Sequence, residues 1–309
     1  MKTIFENNKV DQIDLSKGKV IVVDSDLIPI QGFNLILDNK IQSAPVFDKA
    51  TQKYTGFLDI RDLVSFCIFI HDNNEFKADT LLDIVNFGVK MFKHQQDVTV
   101  TYLSRRNPFK ELVLGSPLTK AVELLSHGLH RIPIRDQDGK LVNIISQSSI
   151  IQFIDNNFDV NTFPELSKTV SELSLGNAPV LTVKQTTPAI DAFRLMDHNR
   201  RSGLAIVNEN DVLVGTTSSK DLKIFISNPS VTLLQLPISE FLSKIRQLNI
   251  GNTEAPVTAT NEDTLKTIIQ KMVSSRLHRV FIVDNNQKLL KVVSITDILN
   301  LINKKIQQQ

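Results

Sequence analysis

The stretch "LHRVFIVDNNQKLLKVVSITDIL" (residues 277–299) decides the fold. Its apolar run Val280–Val283 is followed by a polar turn built on Asn285 and Asn286. Such a pair tolerates the positive φ that a tight hairpin requires. A second apolar run returns and ends at "SITD", a Ser/Thr-x-x-acid pattern in which Ser caps a helix and the acid reaches back to the capping amide. Upstream, "TLKTIIQKMVSS" (264–275) places apolar residues three and four apart, the spacing of a helix with one buried face. Before it, "PVTAT" (256–260) reads as a short strand. The unit is therefore strand, helix, strand, hairpin, strand, helix.

The same unit recurs around "SAPVFDKATQKYTGFLDIRDL" (43–63), "RIPIRDQDGKLVNIISQSSI" (131–150) and "GLAIVNENDVLVGTTSSKDL" (203–222). The equivalent positions Asp62, Ser149, Asp221 and Asp297 are 87, 72 and 76 residues apart. Four repeats follow, at 10–72, 97–155, 170–228 and 238–303. A piece of about 60 residues buries too little surface alone, so the repeats are expected to pair. The polar stretch "DNNFDVNTFPELSKT" (155–169), with Pro164, suggests a break that pairs consecutive repeats into modules 1–160 and 161–309. Two further helices are expected at "KADTLLDIVNFGVKMFKHQQ" (77–96) and "ISEFLSKIRQL" (238–248), and the terminal "KKIQQQ" (304–309) is expected to fray.

Composition narrows the function. A chain of 309 residues, 41% apolar and 22% charged, has the make-up of a soluble globular protein of about two domains. A formal net charge of +2 without a dense Lys/Arg run predicts no nucleic-acid partner and no membrane partner. Cys67 is the only cysteine; intrachain disulfides are impossible, and its setting "LVSFCIFI" (63–70) marks a packed thiol rather than a nucleophile. Acids in "MKTIFENNKVDQID" (1–14) stand where a signal peptide has its apolar segment. A reducing compartment, cytoplasm or nucleus, is expected. His127 and His130 form an HxxH spacing, but no third metal ligand follows. No Gly-rich phosphate loop, nucleophile elbow or kinase signature is present, so no catalytic residue, no metal site and no enzyme is expected.

Each hairpin brings the start of its first strand beside the end of its second. His278 and Arg279 should therefore lie near Ser294, and His130 and Arg131 near Ser146. Capping alone accounts for Ser294 with Asp297 and for Ser218 with Asp221, and a cation at a helix end is favoured by the helix dipole. A sharper reading takes the groups together. Free amides at a helix start and the hydroxyls of Ser294 and Thr296 attract an anion, imidazole and guanidinium grip phosphate, and an Asp can accept both hydroxyls of a ribose.

These residues and their placement resemble the CBS (cystathionine β-synthase) repeat, and four such repeats resemble the gamma regulatory subunits of AMP-activated protein kinases. The resemblance implies an α/β (α+β) fold: four β-α-β-β-α repeats paired into two modules that form a pseudo-symmetric disc. It implies ribose binding by Asp62, Asp221 and Asp297. Phosphate contacts would fall on His130, Arg131, Arg200, Ser202, His278, Arg279, Ser294 and Thr296. The ligands implied are AMP, ADP or ATP acting as regulators, with no cofactor. The partners implied are kinase catalytic and beta-type subunits, in a heterotrimer rather than a homo-oligomer. Two departures stand out: Gln42 replaces a family arginine, and "SQSS" around Ser149 is neutral where the family is basic. Both point to weaker grip on di- and triphosphates. The alternative is a free-standing CBS scaffold or adenosyl binder serving another partner.

Overall fold

The computed structural model describes residues 2–13, 20–72, 99–227, 231–247 and 255–308. In repeat four, Thr258–Ala259 runs parallel to Arg279–Val283, which pairs antiparallel with Leu289–Ser294. Helix Leu265–Ser274 joins the first two strands, and helix Ile295–Gln307 follows the third. The other repeats have the same three-stranded order. Their hairpins are Ser43–Asp48 with Lys53–Asp59, Arg131–Arg135 with Leu141–Ser146, and Gly203–Val207 with Leu213–Ser218. The fold expected from the repeat pattern is present four times.

Two local devices make the repeat. At the hairpin tip, a short acceptor side chain folds back on its own backbone. Asp284 Oδ1 accepts from the amides of Asn286 and Lys288 at 2.8 and 2.9 Å. Asp48, Asp136 and Asn208 do the same in their repeats. The next device ends the first helix of each repeat in the left-handed region, at Lys40, Gly128, Arg200 and Arg276. In repeats one, three and four the following amide returns to a carbonyl of the last turn, Ile41 to Ile36 at 3.1 Å and Arg201 to Met196 and Leu277 to Met272 both at 2.8 Å. This reversal aims the chain from helix into strand.

Apolar helix faces gather the repeats into two compact units. One contains residues 1–20, 110–180 and 257–309; the other contains 21–109 and 181–256. The first thus holds repeats two and four, with Leu125, Ile150, Ile154, Ile268, Ile298 and Ile302 in one fully buried cluster. The second holds repeats one and three around Phe33, Leu58 and Phe193, together with Phe241 from helix Ile238–Gln247, which opens the span read as repeat four but packs in this unit. Alternate repeats share a core here, whereas the polarity of 155–169 suggested that consecutive ones would. The reason lies in that segment: Phe158, Phe163 and Leu166 are buried in the first unit's core, so the stretch is packed rather than a boundary. The C-terminus also differs from expectation. Its helix reaches Gln307 because Ile302 and Ile306 face the core. The helix Ile238–Gln247 is present. The helix expected at 77–96 and the side chain of Cys67 lie outside the described residues. No helix among the described residues is long and apolar enough to cross a membrane.

Candidate functional site

The corner between the first hairpin strand and the last helix is built alike in every repeat. Arg279 stands opposite Ser294 and Arg131 opposite Ser146, the neighbourhood that hairpin topology requires. The first amide of each last helix donates to the residue before the hairpin. Ile60 donates to Gln42, Gln147 to His130, Ser219 to Ser202 and Ile295 to His278, at 2.9, 3.2, 3.2 and 3.0 Å. Four positions on that edge, Gln42, His130, Ser202 and His278, are therefore equivalent. His130 and His278 are exposed, and Arg131, Arg279 and Ser202 are half-buried. Arg200 is exposed two residues earlier, with φ of 51°.

The acids at the start of the last helices all act as caps. Each accepts from the capping amide three residues before it: Asp59 to Asp62 at 2.9 Å, Ser218 to Asp221 at 2.7 Å and Ser294 to Asp297 at 2.7 Å. In repeat two the hydroxyl of Ser149 takes that amide, from Ser146 at 2.8 Å. Capping thus explains the position in all four repeats. It does not explain why acids occur only where they do.

The carboxylates part company in their remaining contacts. Asp62 is 4% exposed and accepts a second bond from Asn107 Nδ2 at 2.9 Å. Burial, and then the charge of Asp59, push its pKa up to about 7, against the pull of the Asp59 amide, Arg61 and Arg106. Asp221 is 5% exposed; Arg246 Nε donates to its Oδ1 at 3.0 Å while Nη2 donates to the Thr216 carbonyl at 2.8 Å. Asp297 is only half-buried, takes the Ser294 hydroxyl at 2.6 Å and accepts from Asn177 Nδ2 at 2.7 Å. Of the three, it alone combines a carboxylate with solvent access and only neutral donors among its hydrogen-bond partners.

Placement divides the candidate residues. His130, Arg131, His278, Arg279, Ser294, Thr296 and Asp297 belong to the first unit, and Asp62, Asp221, Arg200 and Ser202 to the second. Repeat four brings five of them onto one edge. Within the first unit the edges of repeats two and four also meet, because Gln147 Nε2 lies 3.1 Å from Thr296 Oγ1. Gln147, Asn107, Asn177 and Arg246 escaped the reading of motifs. All four come from outside the repeat they serve, and no local pattern marks Asn107, Asn177 or Arg246. Gln147 carried one signal: it is an amide where Ile60 and Ile295 are apolar. Among the described residues no group of three or more His, Cys, Asp or Glu could hold a metal ion.

Sheet order, corner and acid placement define a class that comparison with known proteins also finds. The CBS domain model matches residues 107–156, 170–228 and 245–304. That is more than half of the chain, and the chain belongs to the CBS domain family. In particular, it is a repeat protein similar over nearly its whole length to the gamma subunit of 5′-AMP-activated protein kinase. The Dictyostelium discoideum subunit is 26% identical over 307 residues, covering 94% of this chain and 50% of that protein. The chain therefore spans half the length of that relative. The Saccharomyces cerevisiae subunit is 26% identical over 296 residues, covering 92% and 86%. Protein sds23/moc1 of Schizosaccharomyces pombe is 25% identical over 323 residues, covering 93% and 78%. A crystal structure from Methanocaldococcus jannaschii, of a protein proposed as an archaeal homolog of the kinase gamma subunit, superposes with a TM-score of 0.69 at 18% identity. It covers 96% of this chain and all of that one. That likeness concerns the fold alone.

Proposed function

We propose that the chain is a non-catalytic regulatory subunit that binds adenine nucleotides at the edge of its CBS repeats and conveys energy state to a protein kinase complex. The observation that carries this reading is the corner of repeat four. There, the His278-Arg279 pair, the hydroxyls of Ser294 and Thr296 and the carboxylate of Asp297 share one edge at the start of a helix. An anion there meets the positive end of the helix dipole and the hydroxyl of Thr296. A ribose next to it meets an acceptor with two oxygens. Capping needs neither the histidine nor the arginine. AMP and ATP compete for this place, and the difference in their affinities for two states of the protein shifts its equilibrium. Similarity to kinase gamma subunits supports the partner, and a cytoplasmic or nuclear location is part of the same proposal.

Titration of the purified chain with AMP and ATP tests the ligand: saturation is expected well below about a millimolar. Asp297→Ala should weaken both nucleotides and adenosine alike, since all carry the ribose. His278→Ala with Arg279→Ala should cost AMP far more than adenosine. Recovery of kinase catalytic and beta-type subunits with the tagged chain tests the partner.

A second reading has its own support. A relative of comparable identity is named sds23/moc1 and not a kinase subunit, Arg246 already engages Asp221, and Gln42 and Ser149 remove charge from two repeats. A scaffold for another partner would show no saturable nucleotide binding and no kinase subunits.

A further inference from the structure

Gln147 opens the last helix of repeat two, where the other repeats have Ile60, Ser219 and Ile295. Its residue exposure is 8%, and a buried amide is costly unless its polar atoms find partners. Nε2 donates to the carbonyls of Leu125 and Leu129 at 3.0 and 3.2 Å. Those two acceptors fix which end of the amide carries the protons. The same Nε2 is 3.1 Å from Thr296 Oγ1, whereas Thr296 Oγ1 to Gln147 Oε1 is 3.4 Å. The shorter contact has Gln147 donating to the hydroxyl oxygen, with one amide proton shared between the Leu125 and Leu129 carbonyls and the other on Thr296; the longer contact has the hydroxyl donating to Oε1. In the shorter one the hydroxyl keeps its own proton for another acceptor. Through its backbone amide Gln147 also holds the His130 carbonyl at 3.2 Å.

We propose that Gln147 is a positioning residue: it turns the Thr296 hydroxyl proton toward a phosphate at the start of helix Ile295–Gln307 and ties the His130 edge of repeat two to that place. This rests on the nucleotide reading above and adds a residue of a different repeat to it. An anion accepts from Thr296 only if the proton points outward, and a donor behind the oxygen enforces that direction. A hydroxyl left to choose would be free to donate to any nearby protein acceptor instead.

The test is calorimetric titration of the full chain with AMP and with adenosine, for wild type, Gln147→Glu, Thr296→Val and the double variant. Glutamate has the size of glutamine but only acceptors, so it draws the Thr296 proton inward. Each single variant should lose about tenfold in AMP affinity, with adenosine unchanged; a tenfold loss is the scale of one good polar contact. The double variant should lose no more than either single one, because both remove the same hydrogen bond. Additive losses, which mere repulsion by the new carboxylate would produce, overturn the role of Gln147. A loss in Thr296→Val that is absent in Gln147→Glu overturns it too. Both outcomes leave the nucleotide reading standing, whereas a wild type that saturates with neither ligand removes both. If circular dichroism shows Gln147→Glu unfolded, the wild-type side-chain amide signals decide by NMR. They should shift with AMP and hold still with adenosine, and an equal response to both ligands overturns the proposal.

Discussion

Asp62 sits 4% exposed with the buried Asp59 close by, and burial together with that neighbour pushes its pKa up to about 7 from the ordinary 3.8. Folding therefore takes up a proton between about pH 4 and pH 7. A group whose folded pKa is raised contributes stability that is complete below its unfolded pKa and is lost as pH rises through the folded one. The thermal midpoint of the native chain should accordingly fall between pH 5 and pH 8. Asp62→Asn, which still offers an oxygen to the Asp59 amide, should remove this group's share of that slope. Differential scanning calorimetry at the two pH values measures it; an unchanged slope in the variant would locate the sensitivity elsewhere. Asp297 makes the complementary case. It is half-buried and completes a capping box with Ser294, so Asp297→Ala should cost about 1 kcal/mol of stability besides the ligand. The place of both acids was legible from the repeat, since capping is set by residues three apart. Their chemistry was not, because Asn107 and Asn177 reach them from 45 and 120 residues away.

The elements themselves were largely readable, for a physical reason: hairpins and caps are closed by neighbours in sequence. The acceptor at the hairpin tip lies two and four residues from the amides it takes in repeats two to four. The left-handed residue at the end of each first helix is also local, and it yields a test. Lys40 adopts φ of 54°, in a place where repeat two has Gly128. Lys40→Gly relieves the clash of Cβ in that region, so it should be neutral or stabilising by up to about 1 kcal/mol; denaturant melts measure this. Gly56 behaves oppositely. A Cβ there would come 2.0 Å from the Ser104 carbonyl oxygen and 2.8 Å from that of Asn107. Backbone cannot yield as a side-chain tip does. Gly56→Ala should destabilise by at least the ~1–3 kcal/mol typical of overpacking, with a lower midpoint in the same melts. The strand pattern placed Gly56 in a strand, but nothing near it announced that 104–107 would press against its face.

At the scale of the whole molecule, the division into cores is what the chain's order conceals. All four repeats carry the same apolar periodicity, so each helix face is a plausible partner for three others. The choice is made by packing: Phe193 and Phe225 of repeat three meet Phe241 of the connecting helix Ile238–Gln247 with ring centres 5.6 and 5.8 Å apart. That helix packs in the second unit rather than with the rest of repeat four, in a cluster that also contains Phe33 and Leu58 of repeat one. Phe241 is fully buried. Its replacement by Ala should cost about 3–5 kcal/mol, and the loss should spread through the cooperative unit that contains it. Native-state hydrogen exchange of Phe241→Ala then distinguishes the two ways of grouping the repeats. Amides of the strands Ser43–Asp48 and Gly203–Val207 should lose protection together. Those of Arg131–Arg135 and Arg279–Val283 should keep theirs, since their core draws on Leu125, Ile154, Ile268 and Ile302. If protection instead fell in Arg279–Val283 along with Gly203–Val207, while Ser43–Asp48 stayed protected, consecutive repeats would be the units that fold together. The shared apolar cluster would then be a contact between units rather than the core of one.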